Sequence, residues 1–309
     1  MRLSRILGAP AIGILLTLGV ACESPDFRPA VLRAQTAKTV DVAVGPQYDS
    51  THVYVAPQDF DRFVASVIAT FGGALAQQGV ATVTPTPSST RMQLVLTPVG
   101  TLSVFGFKTP IPYPFGSERT GYLVRDLDDA IRAARGTGAD VLVVPFNDPI
   151  GRDAIIQWPG GVNTQLYWHT APPSYPALQT VPENRVYVSS DRVGAFVRSF
   201  LEFSQGRVLS DESRAPGVEI GRPGETYRRV RIASTFGKLT ALVTDGHLPY
   251  PYGRELTGYE VTNLGDTLTK ARAAGVEVLV QPYKTDEREA FVVQFPGGYI
   301  AEVHSSAQR

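Results

Sequence analysis

An internal repeat organises this sequence. Residues 111–167 align without a gap with residues 248–304, at a constant offset of 137 positions and with 22 of 57 positions identical. PYPFGSERTGY in the first copy corresponds to PYPYGRELTGY in the second, and QWPGG corresponds to QFPGG. A spacing of about 137 residues is too long for one unit of a solenoid and is typical of a domain. The sequence therefore predicts two tandem copies of one domain.

The order of elements in each copy predicts the α+β fold class. In the repeated stretch, a short strand precedes an amphipathic helix capped by Asp126, and three strands follow the helix. The stretches beginning at Thr51 and Val186 have a similar order, although residues 207–226 look loop-rich. We therefore expect four βαβββ modules in two pairs. Each module leaves one sheet face uncovered by its helix, so a pair can curve into a cup that suits a small ligand.

Changes in composition along the chain predict the domain boundaries. Four prolines within residues 171–182 indicate a linker between the two domains. The predicted segments are a signal peptide at 1–22, a tether at 23–46, a first domain at 47–170, the linker at 171–182 and a second domain at 183–306.

The first residues have the pattern of an export signal. Arg2 and Arg5 precede an apolar stretch at 6–20, which is too short for a comfortable membrane span. The following LGVAC resembles the bacterial lipobox and ends at Cys22, the only cysteine of the chain. We expect lipidation at Cys22 and an exported, membrane-anchored lipoprotein, with Glu23 favouring the periplasmic face of the outer membrane in a Gram-negative host. A secretory peptide cleaved near Ala21 is the alternative.

Charge and motifs exclude several classes of function. The chain has 29 basic and 29 acidic residues and lacks a basic block with interleaved aromatic residues, so we expect no nucleic-acid partner. The GxSxG elbow, the Walker A loop, HExxH and CxxC are absent. The common hydrolase, nucleotide and zinc signatures are therefore missing.

Several motifs resemble the vicinal oxygen chelate superfamily, which includes glyoxalase I, extradiol dioxygenases and the bleomycin and fosfomycin resistance proteins. The stretches DLDDA to GADVL at 126–142 and NLGD to GVEVL at 263–279 look like the family's helix and following strand. DPIGR at 148–152, followed by WPGG, looks like its loop, strand and turn. The resemblance covers about residues 46–306 and implies two glyoxalase-like domains.

The resemblance also implies positions for a divalent metal, held in active members by His on the first strand of each module and Glu on the last. Imidazole and carboxylate ligands leave positions open for two substrate oxygens. The corresponding positions here are His52, Thr120 and Gln165 in the first domain and Arg185, Thr257 and Glu302 in the second. Because most ligands are missing from both sets, we expect no metal and no other cofactor, with a divalent metal as the lesser alternative.

The same positions, with two tyrosines, are the candidates for binding a small organic molecule. Tyr122 and Tyr259 belong to strands beside the cups, where they could stack on a ligand. Arg185 and Glu302 form a structural pair, a ligand-binding pair or neither, and His52 is a ligand, a general base or an ordinary strand histidine. The candidates are His52, Tyr122, Gln165, Arg185, Tyr259 and Glu302.

Three hypotheses follow for the function. The first is an exported module that binds a small organic molecule in a cup without the family metal. The second is an enzyme, either a lyase, isomerase or oxygenase of the family type or a metal-independent one that uses His52 or Glu302. The third is a scaffold for protein interactions. No catalytic residue is assigned.

Overall fold

A computed structural model describes residues 41–306. The predicted signal peptide, the lipidation site Cys22 and most of the predicted tether lie outside the described residues. Within the described range, none of the helices has the length and apolar character that crossing a membrane requires.

The first half of the described chain forms one mixed sheet and two helices. The helices are α1 (Phe60–Phe71) and α2 (Leu127–Gly136), and a 3₁₀ turn at Pro57–Asp59 precedes α1. Across the sheet the order is β2-β4-β5-β1-β6-β9-β8-β7, with β3 paired to β4. The strands are β1 (Ser50–Tyr54), β2 (Ala74–Leu75), β3 (Gly79–Ala81), β4 (Thr90–Thr97), β5 (Gly100–Phe107), β6 (Thr120–Leu123), β7 (Asp140–Asn147), β8 (Gly151–Gln157) and β9 (Asn163–His169).

The second half repeats this arrangement. The helices are α3 (Val193–Ser204) and α4 (Leu264–Ala273), with a 3₁₀ turn at Gly217–Ile220. The strand order is β11-β12-β13-β10-β14-β17-β16-β15. The strands are β10 (Glu183–Ser189), β11 (Arg207–Pro216), β12 (Thr226–Ser234), β13 (Gly237–Thr244), β14 (Leu256–Glu260), β15 (Glu277–Lys284), β16 (Arg288–Gln294) and β17 (Ile300–Ser306).

Each sheet joins two βαβββ modules through their first strands. In the first sheet, β1 is parallel to β5 and β6 is parallel to β9, while β1 and β6 pair antiparallel. The second sheet has the same arrangement: β10 is parallel to β13 and β14 is parallel to β17, while β10 and β14 pair antiparallel. The predicted α+β fold with four modules is confirmed.

Local sequence signals explain where the repeated helices begin. The side chain of Asp126 accepts a hydrogen bond from the backbone N–H of Asp129 at 2.8 Å, which caps α2. Asn263 caps α4 in the same way through the N–H of Asp266 at 2.9 Å. Both caps satisfy an N–H group that has no partner within the helix.

The helix faces of the two sheets pack against each other and form two shared cores. One core combines α2 with α3, and Trp158 packs edge-on to Phe200 at a ring distance of 5.7 Å. The other combines α1 with α4, and Phe63 packs against Phe295 at 6.0 Å. The opposite face of each sheet is left free to form a cup.

The predicted tether ends earlier than residue 46. Val42 and Ala43 are 3% and 2% exposed and belong to the core around α2. Ala43 also forms an isolated β-bridge with Val124, so the chain is already part of the first sheet there. Because both side chains are small and apolar, burying them favours this packing.

The loop-rich prediction for residues 207–226 is wrong over its first half. Arg207–Pro216 forms β11, an edge strand paired to β12 with two irregularities. Its charged side chains are compensated across the strand pair, since Asp211 accepts two hydrogen bonds from Arg228 at 2.8 Å. An edge strand exposes much of its surface, so it lacks the alternating apolar pattern that identifies strands in a sequence.

Candidate functional site

The cup of the first sheet contains a cavity of about 90 Å³. Strand alternation places His52 on β1, Asp153 on β8 and Gln165 on β9 over the same face of the sheet. Apolar and aromatic side chains form most of the wall: Tyr54, Val83, Met92, Leu94, Phe105, Phe115, Ile150, Tyr167 and Tyr175. A cavity with apolar walls and a few polar groups is suited to a small organic molecule.

His52 stands next to a fully buried carboxylate. It is 2% exposed, and its Nδ1 lies 3.5 Å from Oε1 of Glu118, which has no exposed surface. The hydroxyl of Tyr54 donates a hydrogen bond to the same Oε1. The Nε2 of His52 lies directly over Gly121, so that a methyl group added to this glycine would come within 2.3 Å of the nitrogen. The two ring nitrogens therefore face a carboxylate and the floor of the cup.

Asp153 is the second buried carboxyl group of this cup. It is 5% exposed, and burial raises its pKa well above the usual range. The negative charges of Asp148 and Glu118 add to this rise, and the Gln165 amide opposes it. Burial also lowers the pKa of His169, so this imidazole is neutral at pH 7. The polar groups of the cavity are therefore mostly acceptors or neutral.

The centre of the second cup holds a network of buried ion pairs. Arg185 and Glu302 are 2% and 1% exposed and form a salt bridge. Arg288 donates through Nη1 to Glu302 at 3.0 Å and to Glu183 at 2.8 Å. Tyr283 donates to Glu302 at 3.2 Å. Two guanidinium groups thus balance two carboxylates in this part of the cup.

A second group of charges continues the network towards β11. Arg229 donates to Glu219 at 2.6 and 2.7 Å, and Tyr227 donates to the same carboxylate at 2.5 Å. Arg229 also reaches Glu212 at 2.8 Å and Glu287 at 2.7 Å. A cavity of about 220 Å³ opens beside the network, and its lining includes both acidic and basic side chains.

The network changes the titration of its members. Burial raises the pKa of Glu183, but the neighbouring Arg288 and Arg185 more than offset this, and its pKa lies well below the usual range. Burial lowers the pKa of His304 to about 3, and the charge of Arg288 adds to the effect. Glu183 is therefore ionised and His304 neutral at pH 7, which is the charge pattern of a closed structural network.

The structure corrects two of the six positions carried over from the family. Directly paired residues share a face of a sheet, and Gly121 pairs with Ser50 and Gln165, which face the cavity. Thr120 pairs with Thr51 and so points to the other face. By the same register, Gly258 faces the second cup beside Glu302, and Thr257 does not. A shift by one residue along a strand turns a side chain to the opposite face.

The residues present in the cups do not fit the family metal. At the family positions, the first cup offers one imidazole from His52, the amide of Gln165 and, at the middle position, a glycine. Asp148, Asp153 and His169 also line this cavity, but among the described residues no three such groups of this cup have ligand atoms within 4.8 Å of one another. Amide side chains are poor ligands for transition metals compared with carboxylates and imidazoles. In the second cup, His304 approaches the two carboxylates of Glu183 and Glu302, with ligand atoms within 4.8 Å of one another. Both carboxylates are already paired with arginines, whose charge opposes a cation there.

The placement of Tyr122 and Tyr259 beside the cups is also wrong. Tyr122 stacks on Phe236 at a ring distance of 4.4 Å in one shared core. Tyr259 packs against Phe71 at 5.2 Å in the other core. Both tyrosines therefore lie on the helix side of their sheets, whereas His52, Gln165, Arg185 and Glu302 lie on the cup side.

Sequence reasoning missed several residues that shape the two sites. Asp153 and Glu118 look like ordinary charged residues in the sequence, and only their burial distinguishes them. Tyr175 reaches the first cavity from the Pro-rich linker and lies 5.6 Å from the ring of Tyr48. Arg288 begins β16 after a turn, and no motif in the sequence marks it. The duplicated glutamates at positions 118 and 255 were the one available signal, since both copies of the repeat retain them.

Several solved structures have a fold similar to that of this chain. The sequence matches no protein-family model, and a search of curated proteins finds no relative. The structure is similar to a triple mutant of 4-hydroxymandelate synthase from Streptomyces coelicolor, with a TM-score of 0.57 and 13% identity over 83% of this chain and 91% of that one.

Two further solved structures have similar scores. The 2,3-dioxygenase LapB from Pseudomonas sp. KL28 has a TM-score of 0.51 and 10% identity over 84% of this chain and 91% of its own. An Mn(II)-bound glyoxalase from Novosphingobium aromaticivorans has a TM-score of 0.50 and 12% identity over 83% and 80%. At this level of identity, the similarity establishes the fold alone.

Proposed function

Because this chain has the vicinal oxygen chelate fold, we propose that it binds a small organic molecule in the first cup without a divalent metal. The cavity over the first sheet is the observation that supports this most directly, since its walls are mainly apolar and its polar groups are few. In the second cup, Arg185 and Glu302 pair with each other at the equivalent strand positions. The first cup is therefore the better candidate for a ligand.

Matched glycine substitutions test which cup binds. A methyl group on Gly121 would lie 2.3 Å from Nε2 of His52, so Gly121→Ala must displace the imidazole. A methyl group on Gly258 would lie 3.2 Å from a ring carbon of His304, a contact that small shifts relieve. Compounds that raise the melting temperature of residues 23–309 should bind Gly121→Ala at least tenfold more weakly by calorimetry, and Gly258→Ala as the wild type does.

Two outcomes would contradict this assignment. One is a compound whose affinity falls in Gly258→Ala but not in Gly121→Ala, because its site would then be the second cup. The other is a set of chemically diverse compounds, none of which shifts the melting temperature of the wild type.

Metal content is a separate test of the same proposal. Residues 23–309, purified without chelator and then loaded with Fe²⁺, Mn²⁺, Zn²⁺ or Ni²⁺, should retain far less than one metal ion per chain by plasma mass spectrometry. Retention of about one ion per chain, lost in Glu302→Ala, would support a metal-dependent enzyme instead.

Metal-independent proton transfer is the second candidate function. It is favoured by the contact of His52 with Glu118, since a buried carboxylate can orient an imidazole that acts as a general base. His52→Gln should then abolish turnover of a ligand while its affinity falls by less than tenfold. If nuclear magnetic resonance detects no chemical change in the bound ligands, binding remains the proposed function.

Export and anchoring through Cys22 are part of the proposal. The lipobox-like LGVAC and the apolar stretch before it support lipidation. A palmitate label should appear on the wild type and be lost in Cys22→Ala, with the wild type in the outer-membrane fraction. An unlabelled, freely released wild type would favour cleavage near Ala21 by a secretory peptidase.

A further inference from the structure

The lining of the first cavity is acidic and aromatic. The described residues that line it include Asp148 and Asp153 but no lysine or arginine. Glu118 lies behind His52, at 3.5 Å from its Nδ1. The neutral His169 adds no positive charge. The electrostatic environment of this cavity therefore opposes an anionic ligand and favours a cationic one.

The buried carboxylate of Asp153 has no positive charge among the groups that shift its pKa. Its side chain is almost completely buried, and the two charged groups that act on it, Asp148 and Glu118, are both acidic. A buried carboxylate is costly unless a positive charge accompanies it. A bound cation would stabilise the ionised carboxylate and so reverse part of the rise in its pKa.

The aromatic walls add a second attraction of the same sign. Tyr54 and Phe105 stack at a ring distance of 5.3 Å on one side of the cavity, and Tyr167 and Tyr175 also line it. The faces of aromatic rings attract ammonium groups, and such rings form the sites that bind quaternary ammonium compounds.

The second cup provides an internal comparison. There, buried carboxylates are also present, but the protein supplies its own cations through Arg185 and Arg288. The repeat places Ala290 at the position equivalent to Asp153. The carboxylate of Asp153 is therefore specific to the first cup, and the described residues that line this cavity include no lysine or arginine to balance it.

We propose that the first cup binds an organic cation, an amine or quaternary ammonium group carried on a small apolar or aromatic body. This inference rests on the proposed function, because it names the ligand class of the same site. The ammonium group lies between Asp153 and the aromatic side chains, and the apolar body follows the wall formed by Met92 and Leu94.

A series of matched compounds tests the charge preference. Calorimetry with residues 23–309 compares benzyltrimethylammonium, its neutral analogue neopentylbenzene, and phenylacetate. We expect the cation to bind at least tenfold more tightly than the neutral compound and phenylacetate not to bind measurably. The Asp153→Asn variant, which is nearly isosteric, should lose at least tenfold in affinity for the cation and little for the neutral compound.

Controls separate this inference from the proposed function. Asp128→Asn, which removes an exposed carboxylate paired with Arg152 in the same domain, should leave cation binding unchanged. If Asp153→Asn does not fold, Asp148→Asn should weaken cation binding by a smaller factor. Binding of neutral or anionic compounds that Gly121→Ala weakens, without binding of cations, would overturn the charge preference alone. Absence of binding by every compound tested would overturn the proposed function with it.

Discussion

At the scale of single residues, the two cups differ at an equivalent position on their first strands. On β1 this position is His52, and on the equivalent strand β10 it is Arg185, whose charge is buried against Glu302. The imidazole of His52 lines the cavity above the first sheet, whereas the guanidinium group of Arg185 brings a buried positive charge that must be neutralised. The salt bridge therefore excludes the alternative in which Arg185 and Glu302 do not pair, and we propose that their pair is structural.

Removing one partner of this buried pair should be costly. Glu302→Gln leaves the buried guanidinium group of Arg185 without its salt-bridge partner and removes one of the two carboxylates paired with Arg288, so we expect a loss of about 3–5 kcal/mol in the free energy of unfolding. Chemical denaturation would measure it. The matched control is Glu289→Gln, whose partner Lys284 is exposed, and it should change stability by less than about 1 kcal/mol. Equal effects of the two substitutions would contradict the network.

The buried neutral imidazole of His304 predicts a pH dependence of stability. Its pKa in the folded protein is about 3, below the usual value of 6.5, so the unfolded chain binds more protons between these pH values. Stability should therefore fall as pH decreases from about 6.5 towards 3, by at most about 1.4 kcal/mol per pH unit for this one proton. His304→Gln should flatten the dependence, and His247→Gln, at an exposed turn, should not. An unchanged slope in His304→Gln would show that other groups cause it.

At the scale of elements, the helices join the two halves of the molecule. Phe63 on α1 packs against Phe295 and Tyr299 of the second half, at ring distances of 6.0 and 5.7 Å. The repeat itself does not indicate this pairing, because α1 and α4 are far apart in the chain. Their contact combines the first module with the fourth in one core.

A substitution in this shared core should weaken both halves together. Phe63 has no exposed surface, so Phe63→Ala should lower the free energy of unfolding by about 3–5 kcal/mol. We expect the melting temperature to fall in one transition that includes both halves. Tyr113→Ala, at a side chain that is 80% exposed, should change stability by less than about 0.5 kcal/mol. Loss of cooperativity confined to residues 47–170 would contradict a shared core.

At the scale of the whole molecule, the described residues 41–306 belong to one compact unit. The predicted second domain, residues 183–306, contributes one half of each core and receives the other half from the first domain. Cutting the chain in the linker would therefore expose large apolar surfaces.

Residues 183–306 expressed alone should not fold cooperatively. We expect reduced thermal cooperativity by circular dichroism and binding of a hydrophobic dye, because Phe196, Phe200 and Phe295 lose their partners. Residues 41–309 are the control and should unfold in one transition. A stable, monomeric fragment with a sharp transition would show that the cores do not depend on each other.

The sequence by itself determined the duplication, the order of elements in the repeated modules and the α+β fold, because these depend on local patterns and on identity between the copies. It also placed His52 and Gln165 on the strands that form the first cup. The tertiary structure alone decided which side chains face that cup. Side chains along a strand alternate between the two faces of the sheet, so an error of one residue in placing the strand exchanges Thr120 for Gly121.

Burial was likewise decided only by the fold. Asp153 and Arg288 have no distinguishing neighbours in the sequence, and Glu118 is marked only by its duplication at position 255. The roles of all three follow from contacts with residues far along the chain. The linker residue Tyr175 joins the cavity wall for the same reason. Charge balance within each cup therefore depends on the tertiary structure, because the energy of a buried charge is set by what surrounds it in space rather than by its neighbours in sequence.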